Sequence, residues 1–555
     1  MRRAEGARSR VTSGSPAAGP LYVNTIDLAT CALLHWFAGD RTPRSSGRSD
    51  DNSDATPRAA RRVGARAGPV GRGAGRLGRR PSGVAATTSI AIGLGLLAGI
   101  VGVQLPILLV IAFLPMLGIA GAYARLNRVE RNCGNGYVWV GTSLGPWLGF
   151  LTGWVLLVGT LIFLGYTGAV TGSVLLRFAA KVGLVQVAGI HLDPNSTAHS
   201  TVAGVVVLVG VTAAAATGLA KAAKLQTALL VFEYLTLIGF CGWGIVSGDQ
   251  PFSWSWLNPL QISSLGALEQ GLVIAVFIYW GWDAAFSVTE ETRSAETSAR
   301  SGYLTLVSTM LLFVTGAIAF QRVLTPEQLA AHPADALIFF ASTLAAEPWA
   351  SLPLLALLFS TVASLLAGLI PTARQALAMG RDRTLGKVWT RVHPRYGTPA
   401  AGTVCNAAIA LVIAVLAVSI PQVSAMVLAA VNAVGILVAG YYGLTALACA
   451  VRFRAVLRGR PLEALTVVVI PAACGLAMFA LGGVLVASYL TKSDHLAIDP
   501  NNGYFQLLCP GVVLAAGLVA AAVAKWGRRS AYFRTGRGTD ETTLELRPVE
   551  VDGAV

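Results

Sequence analysis

The sequence predicts an all-α, polytopic membrane protein with about twelve transmembrane helices. Three observations carry this. Of 555 residues, 54% are hydrophobic and only 12% charged, with a mean hydropathy of +0.63. Soluble domains run at about 25% charged residues, and a bilayer tolerates such a deficit of charge where a soluble surface does not. About a dozen apolar stretches reach the roughly 20 residues that cross a hydrocarbon core. Finally, the basic residues cluster between alternate stretches rather than scattering.

Residues 1–80 are rich in Arg, Gly, Ser, Ala and Pro and hold too little apolar surface to fold alone. They are expected to form a disordered, basic, cytoplasmic tail. The apolar patch Leu28–Phe37 is too short to span. No hydrophobic stretch follows the first charges closely enough for a signal peptide. The glycine-rich run from Gly71 to Arg80 follows no strand, which argues against a phosphate loop.

Val84–Ala124 is apolar almost without interruption and exceeds one crossing. Gly99 and Gly102, with Pro106, mark a corner. The run divides into span 1 (about 83–101) and span 2 (about 104–124). Further spans are expected near 145–176, 201–220, 225–247, 267–289, 302–321, 350–379, 400–420, 424–451, 464–489 and 504–526. The transmembrane domain thus covers 83–530, and 531–555 form a cytoplasmic C-terminal tail.

Charge sets the expected topology. Of 42 Lys and Arg residues, 15 lie in 1–82, another 23 in the loops after even-numbered spans or the C-terminal tail, and 4 in the opposite loops. Basic residues follow span 2 (Arg125, Arg128, Arg131), span 4 (Lys221, Lys224), span 6 (Arg293, Arg300), span 8 (Arg374 to Arg395) and span 10 (Arg452 to Arg460). By the positive-inside rule those ends and both termini are cytoplasmic. The formal net charge of +15 is then topological bias, which argues against a nucleic-acid partner. The sequon at Asn195 falls outside, where a chance match is the simpler reading. The seven cysteines stand singly, without zinc or disulfide spacing, as small apolar packing residues.

The sharpest interruptions fall in spans 1 and 6, which suggests two five-helix repeats, spans 1–5 (83–247) and 6–10 (267–451), with two extra helices in 464–526. In transporters so built, the first helix of each repeat is broken at mid-membrane and its bare peptide groups bind the solute. Irregular backbone at that depth is tolerated only beside protein or a watery cavity. Span 6 fits best. Ile278-Tyr279-Trp280-Gly281-Trp282-Asp283 combines a glycine that permits a break with three aromatics and an acid near mid-span. A charge there costs about 2.5–3.5 kcal/mol, so Asp283 is expected to face a cavity or a partner. The aromatics suit closure over a solute or stacking on a cation. The alternative, an interfacial aromatic belt, sits poorly with their depth of roughly two to three turns from Glu290.

These residues resemble the amino acid–polyamine–organocation (APC) superfamily of permeases. Cys133-Gly-Asn-Gly-Tyr-Val-Trp139, followed by Leu144-Gly-Pro-Trp-Leu-Gly-Phe-Leu-Thr-Gly-Trp154, is similar to the family's loop after its second helix. Gly281-Trp-Asp283 through Glu290-Glu-Thr-Arg293 resembles the motif in and after its sixth helix, without its proline. Ala373-Arg-Gln-Ala-Leu-Ala-Met-Gly-Arg-Asp382 and Val392-His-Pro394 through Thr398-Pro399 resemble the signature after its eighth. The resemblance covers roughly 85–530. It implies the broken-helix fold with two inverted repeats, and a solute whose amino and carboxylate groups meet unwound backbone in spans 1 and 6. Span 1 departs from the family pattern. Only Pro81-Ser-Gly83 and Gly93-Leu-Gly95 are available as a break, with Thr87 and Thr88 as hydroxyl candidates.

Glu233 in span 5 and Asp283 are candidates to carry a coupling proton, since intramembrane acids mark relays. Ser360, Thr361 and Ser364 lie in span 8, where sodium-coupled relatives of this fold ligate the ion; close helix packing is the commoner use of such residues. Glu290 and Glu291 are expected to pair with arginines from the Arg374–Arg395 stretch. The leading functional expectation is a secondary carrier for an amino acid or related amine, by proton symport or exchange, in the cell membrane. The alternative is a non-transporting amino-acid sensor or degenerate permease, suggested by span 1 and the long tail. The sequence shows no nucleophile elbow, metal motif or P-loop, so neither an enzyme nor a bound cofactor is expected. Nothing in it sets an oligomeric state.

Overall fold

The computed structural model describes residues 93–184, 186–187, 190–332, 335–491, 495 and 497–536. Thr87, Thr88, the Pro81–Gly83 break and most of the two tails lie outside them.

The described chain is helical apart from one two-residue ladder. Its elements are α1 (Gly95–Val101), α2 (Leu105–Val129), α3 (Gly136–Ser143), α4 (Pro146–Lys181), α5 (Thr197–Ala216), α6 (Leu219–Ser247), α7 (Leu265–Ile278) and α8 (Ala284–Ser287). Then come α9 (Ala295–Val323), α10 (Pro326–Ala331), α11 (Ala336–Leu344), α12 (Leu352–Arg381), α13 (Ala400–Ser419) and α14 (Pro421–Arg452). The last are α15 (Pro461–Ala464), α16 (Ile470–Leu490), α17 (Gly503–Ala522) and α18 (Tyr532–Thr535). The ladder pairs β1 (Gln186–Val187) with β2 (Ile190–His191), antiparallel, in the loop after α4.

Among the described residues, ten helical runs are long and apolar enough to cross a membrane, and α7 is a shorter apolar one. Spans 1 and 2 form a single 35-residue run, Gly95–Val129, turned at Gly102–Gln104 where the glycine and Pro106 marked a corner. The chain is a multi-pass membrane protein. Spans 4 and 5 begin several residues earlier than expected, because the corner lies at Thr217–Gly218. Lys221 and Lys224 therefore stand in the first turns of α6, where long side chains reach the interface while their stems cover the helix.

Helix starts follow local chemistry. Ser196, Ser264, Ser294 and Asn502 each accept a backbone N–H from the first turn of the helix they precede. Pro146, Pro353 and Pro421 stand in first turns, where no N–H partner is lost.

The first four spans each pack against the span five places later: α1 on α7, α2 on α9, α4 on α12 and α5 on α13. Span 8 is central, with 78% of its most apolar window buried, whereas span 5 is peripheral at 28%. Large apolar residues such as Val202, Val206, Leu235 and Ile238 point outward on α5 and α6, as a lipid-facing surface requires. Contacts of Arg131 with Thr289, Arg374 with Glu291 and Arg452 with Glu130 bring the arginine-bearing ends of spans 2, 6, 8 and 10 to one face, the basic face.

Candidate functional site

Span 6 is broken. α7 ends at Ile278, and helix resumes only at Ala284. Between them the chain turns through i→i+3 bonds, Trp280 N–H to the Phe277 carbonyl at 2.9 Å and Ala284 N–H to the Gly281 carbonyl at 3.2 Å. Gly281 has φ +110°, a conformation that a residue with Cβ adopts only under strain. The break sits beside a hollow of about 650 Å³ walled by α4, α12 and the broken span, with Trp280, Gly281, Asp283 and Ser364 in its lining.

The six expected residues of the break divide by direction. Trp280 lines the hollow and meets the Phe163 ring edge-on at 5.4 Å. Asp283 lines it too, though it is 6% exposed. Its Oδ1 accepts from the Tyr442 hydroxyl at 3.0 Å, and its Oδ2 from the Tyr441 hydroxyl at 3.5 Å. Tyr279 and Trp282 turn away. Tyr279 donates to the Leu109 carbonyl at 3.1 Å and packs on Phe113 and Phe313. Trp282 is fully buried, stacked on Tyr442 at 5.5 Å and edge-on to Tyr123 at 5.1 Å. They clamp the break to spans 2, 7 and 10 rather than facing the hollow. Ile278 lies against span 1: a Cβ added at Gly93 would come within 3.0 Å of it. Gly93-Leu-Gly95 is therefore the part of span 1 that reaches the break among the described residues.

Tyr441, Tyr442, Tyr123 and Phe163 were not singled out from sequence. A signal existed for the first two, because Gly440-Tyr-Tyr-Gly443 sets two hydroxyls deep in an apolar span.

The coupling candidates form two separate groups. Glu233 is fully buried on α6 and accepts from Ser360 at 3.1 Å. Ser364, one turn along α12, lines the hollow.

Toward the basic face a second hollow of about 700 Å³ shares Ala284, Ala367 and Pro371 with the first and reaches Gln226 and Glu291. Ion pairs stand beside it. Arg374 and Glu291 meet at 2.6 Å with side chains 5% and 9% exposed, and Arg381 meets Glu290 at 3.0 Å. The expected pairing of these glutamates with the post-span-8 arginines is present. Arg452 reaches Glu130 at 3.4 Å. The 130–135 loop joins the same cluster: Cys133 N–H donates to Glu290 at 2.9 Å, Arg131 to the Thr289 and Thr292 carbonyls, and the Asn135 amide pairs with the Ser287 hydroxyl at 2.8 Å. Burial works against the Glu290 charge, but the Arg381 guanidinium and the Cys133 N–H outweigh it and hold the carboxyl below its usual range.

This arrangement presents unwound peptide groups and one carboxylate to a hollow inside an apolar bundle. Residues 81–501 match the protein family described as Amino acid permease. The chain belongs to that family. The match spans most of the chain, including every wall of the hollow. Among curated relatives, the low-affinity putrescine importer PlaP of Escherichia coli is 24% identical over 57% of this chain and 68% of its own length. An uncharacterized transporter of Mycobacterium bovis is 27% identical over 57% of this chain and 64% of its own. The branched-chain amino acid permease BcaP of Lactococcus lactis is 24% identical over 53% and 64%.

Proposed function

We propose that this permease is a secondary active transporter that carries an amino acid or related amine across the cytoplasmic membrane, by proton symport or exchange, with both termini cytoplasmic. The observation that carries the reading is the interruption of span 6 at Tyr279–Asp283 beside a hollow. Peptide groups of an unwound turn suit a zwitterion, amides meeting the carboxylate and carbonyls the ammonium. The packing of spans 1–4 on spans 6–9 supports two repeats rocking about this point. Within the site, Asp283 is the group to receive a substrate amine, with Trp280 closing over it. Glu233, paired with Ser360, is the proton carrier; Ser364 offers a hydroxyl to the solute or a coupling ion. Thr87 and Thr88 are proposed to supply the span 1 side of the site. A gradient suffices as driving force, since one charge crossing 100 mV is worth about 2.3 kcal/mol, roughly 50-fold accumulation.

The names of the relatives favour small amines and amino acids as the class of solute. A panel of labelled amino acids and diamines in proteoliposomes, with pH and sodium gradients varied separately, tests the proposal. Accumulation or exchange of at least one compound is expected. Saturable binding without any accumulation or exchange would overturn it in favour of a non-transporting sensor.

A further inference from the structure

Directly after span 12, the described chain stays against the molecule. A wide turn at Val523–Gly527 ends α17, and residues 528–536 fold back onto the basic face. Arg528 donates to the Thr384 carbonyl at 2.7 Å, and the Ser530 hydroxyl to the Asp382 carbonyl at 2.5 Å, both in the loop after span 8. Tyr532 is fully buried. Its hydroxyl donates to the Tyr137 carbonyl at 2.8 Å, and its ring stacks on Tyr137 at 4.5 Å with an interplanar angle of 8°. The slot that receives it is built from glycine. A Cβ at Gly141 or Gly149 would come within 2.4 Å of the Tyr532 hydroxyl, so any larger residue at either place displaces the ring.

Tyr532 grips the element next to the ion pairs of the basic face. Tyr137 opens α3, directly after the 130–135 loop that binds Ser287 and Glu290 at the end of the broken span. The Tyr137 hydroxyl also meets Thr384 at 3.2 Å, three residues beyond Arg381, which pairs with Glu290. A chain of contacts therefore runs from the C-terminal segment, through α3 and the loop after span 8, to Ser287 and Glu290 at the end of the broken span.

We propose that Arg528–Gly536 is an intramolecular latch, with Tyr532 as its pin, that stabilises the ion-paired arrangement of the basic face and sets how readily that face opens. The latch rests on the transport reading above, because opening of this face is a step only in a carrier. Solute leaving or entering by this route must part Glu290 and Glu291 from their arginines, and the latch holds both sides of that seam. Anything that withdraws Tyr532 from its slot loosens the seam without touching the solute site.

Hydrogen–deuterium exchange of the full chain in nanodiscs, without substrate, tests this. Tyr532→Ala is expected to speed exchange at least tenfold in 130–143 and 381–386, and several-fold in 284–292 at the far end of the chain of contacts. Tyr532→Phe keeps the ring and is expected to give a smaller increase. A rise confined to 528–536 and the slot itself, with 284–292 unchanged, would overturn the latch and leave the segment as mere packing. Should Tyr532→Ala fail to fold, the Arg528→Ala/Ser530→Ala double variant removes the tie to the loop after span 8. It is expected to speed exchange in 381–386 and 284–292, and no change in either sinks the proposal. Because no substrate is present, this outcome is independent of the uptake panel, which alone decides whether the chain transports.

Discussion

Asp283 shows what a single residue contributes and what its neighbours must contribute with it. A carboxylate inside an apolar bundle is tolerable only with donors around it, and Tyr441 and Tyr442 supply two. A hydrogen bond to a charged group is worth about 1.5–3 kcal/mol, so Asp283→Asn is expected to lower uptake of amines with a net positive charge roughly tenfold or more, and of neutral zwitterions less. Initial-rate uptake of paired amine and zwitterion substrates measures this, and equal loss for both would remove Asp283 from the binding role. Tyr442→Phe removes one donor and is expected to act in the same direction with a smaller loss. The need for an acid at this depth was legible in the sequence. Which way each neighbour points was not, because a side chain leaving a non-helical turn obeys no 3.6-residue period.

At the scale of elements, the basic end of span 8 is where ion pairs tie it to the end of span 6. Arg374 is almost wholly buried against Glu291, and removing one partner leaves a buried charge uncompensated. Arg374→Ala is expected to destabilise by about 3–5 kcal/mol, read as a fall in the thermal midpoint of the purified protein, with Glu291→Gln in the same background recovering part of the loss. Glu290 allows a pH test. Its folded carboxyl lies below the ordinary 4.5. Its contribution is therefore present above that value and is lost as pH falls through the lowered folded one. Glu290→Gln is expected to flatten the fall of stability below about pH 4.5, and an unchanged profile would show that the pair contributes nothing. The break in span 6 was legible as an element because Gly281 falls mid-run beside an acid. The short helix α3 was not, since its eight residues are too few for hydropathy to distinguish from a loop.

For the whole molecule, Glu233 with Ser360 and Asp283 with Tyr441 and Tyr442 form two groups, which suits the proposed division between proton carrying and solute binding. Glu233→Gln is expected to abolish uptake driven by a pH gradient while leaving exchange of solute for solute intact. Counterflow and gradient-driven uptake in the same vesicles measure this, and parallel loss of both would return Glu233 to a packing role. Two hydroxyls of span 8 divide in the same way. Ser360 faces span 5, and Ser364, four residues on, faces the hollow.

Membrane insertion, the approximate limits of most spans, the segregation of basic residues and the position of the break are set by local chemistry: runs of apolar side chains, charges between them, and a glycine where the helix must end. These need no knowledge of what packs where, so the sequence alone determined them. Tertiary structure decided the rest. It chose Arg374 for Glu291 and Arg381 for Glu290 from six basic candidates, turned Tyr279 and Trp282 away from the hollow, and brought Tyr532 onto Tyr137 across 395 positions. Each of those depends on helix rotation and on contacts between distant segments, and neither leaves a period or a composition in the chain.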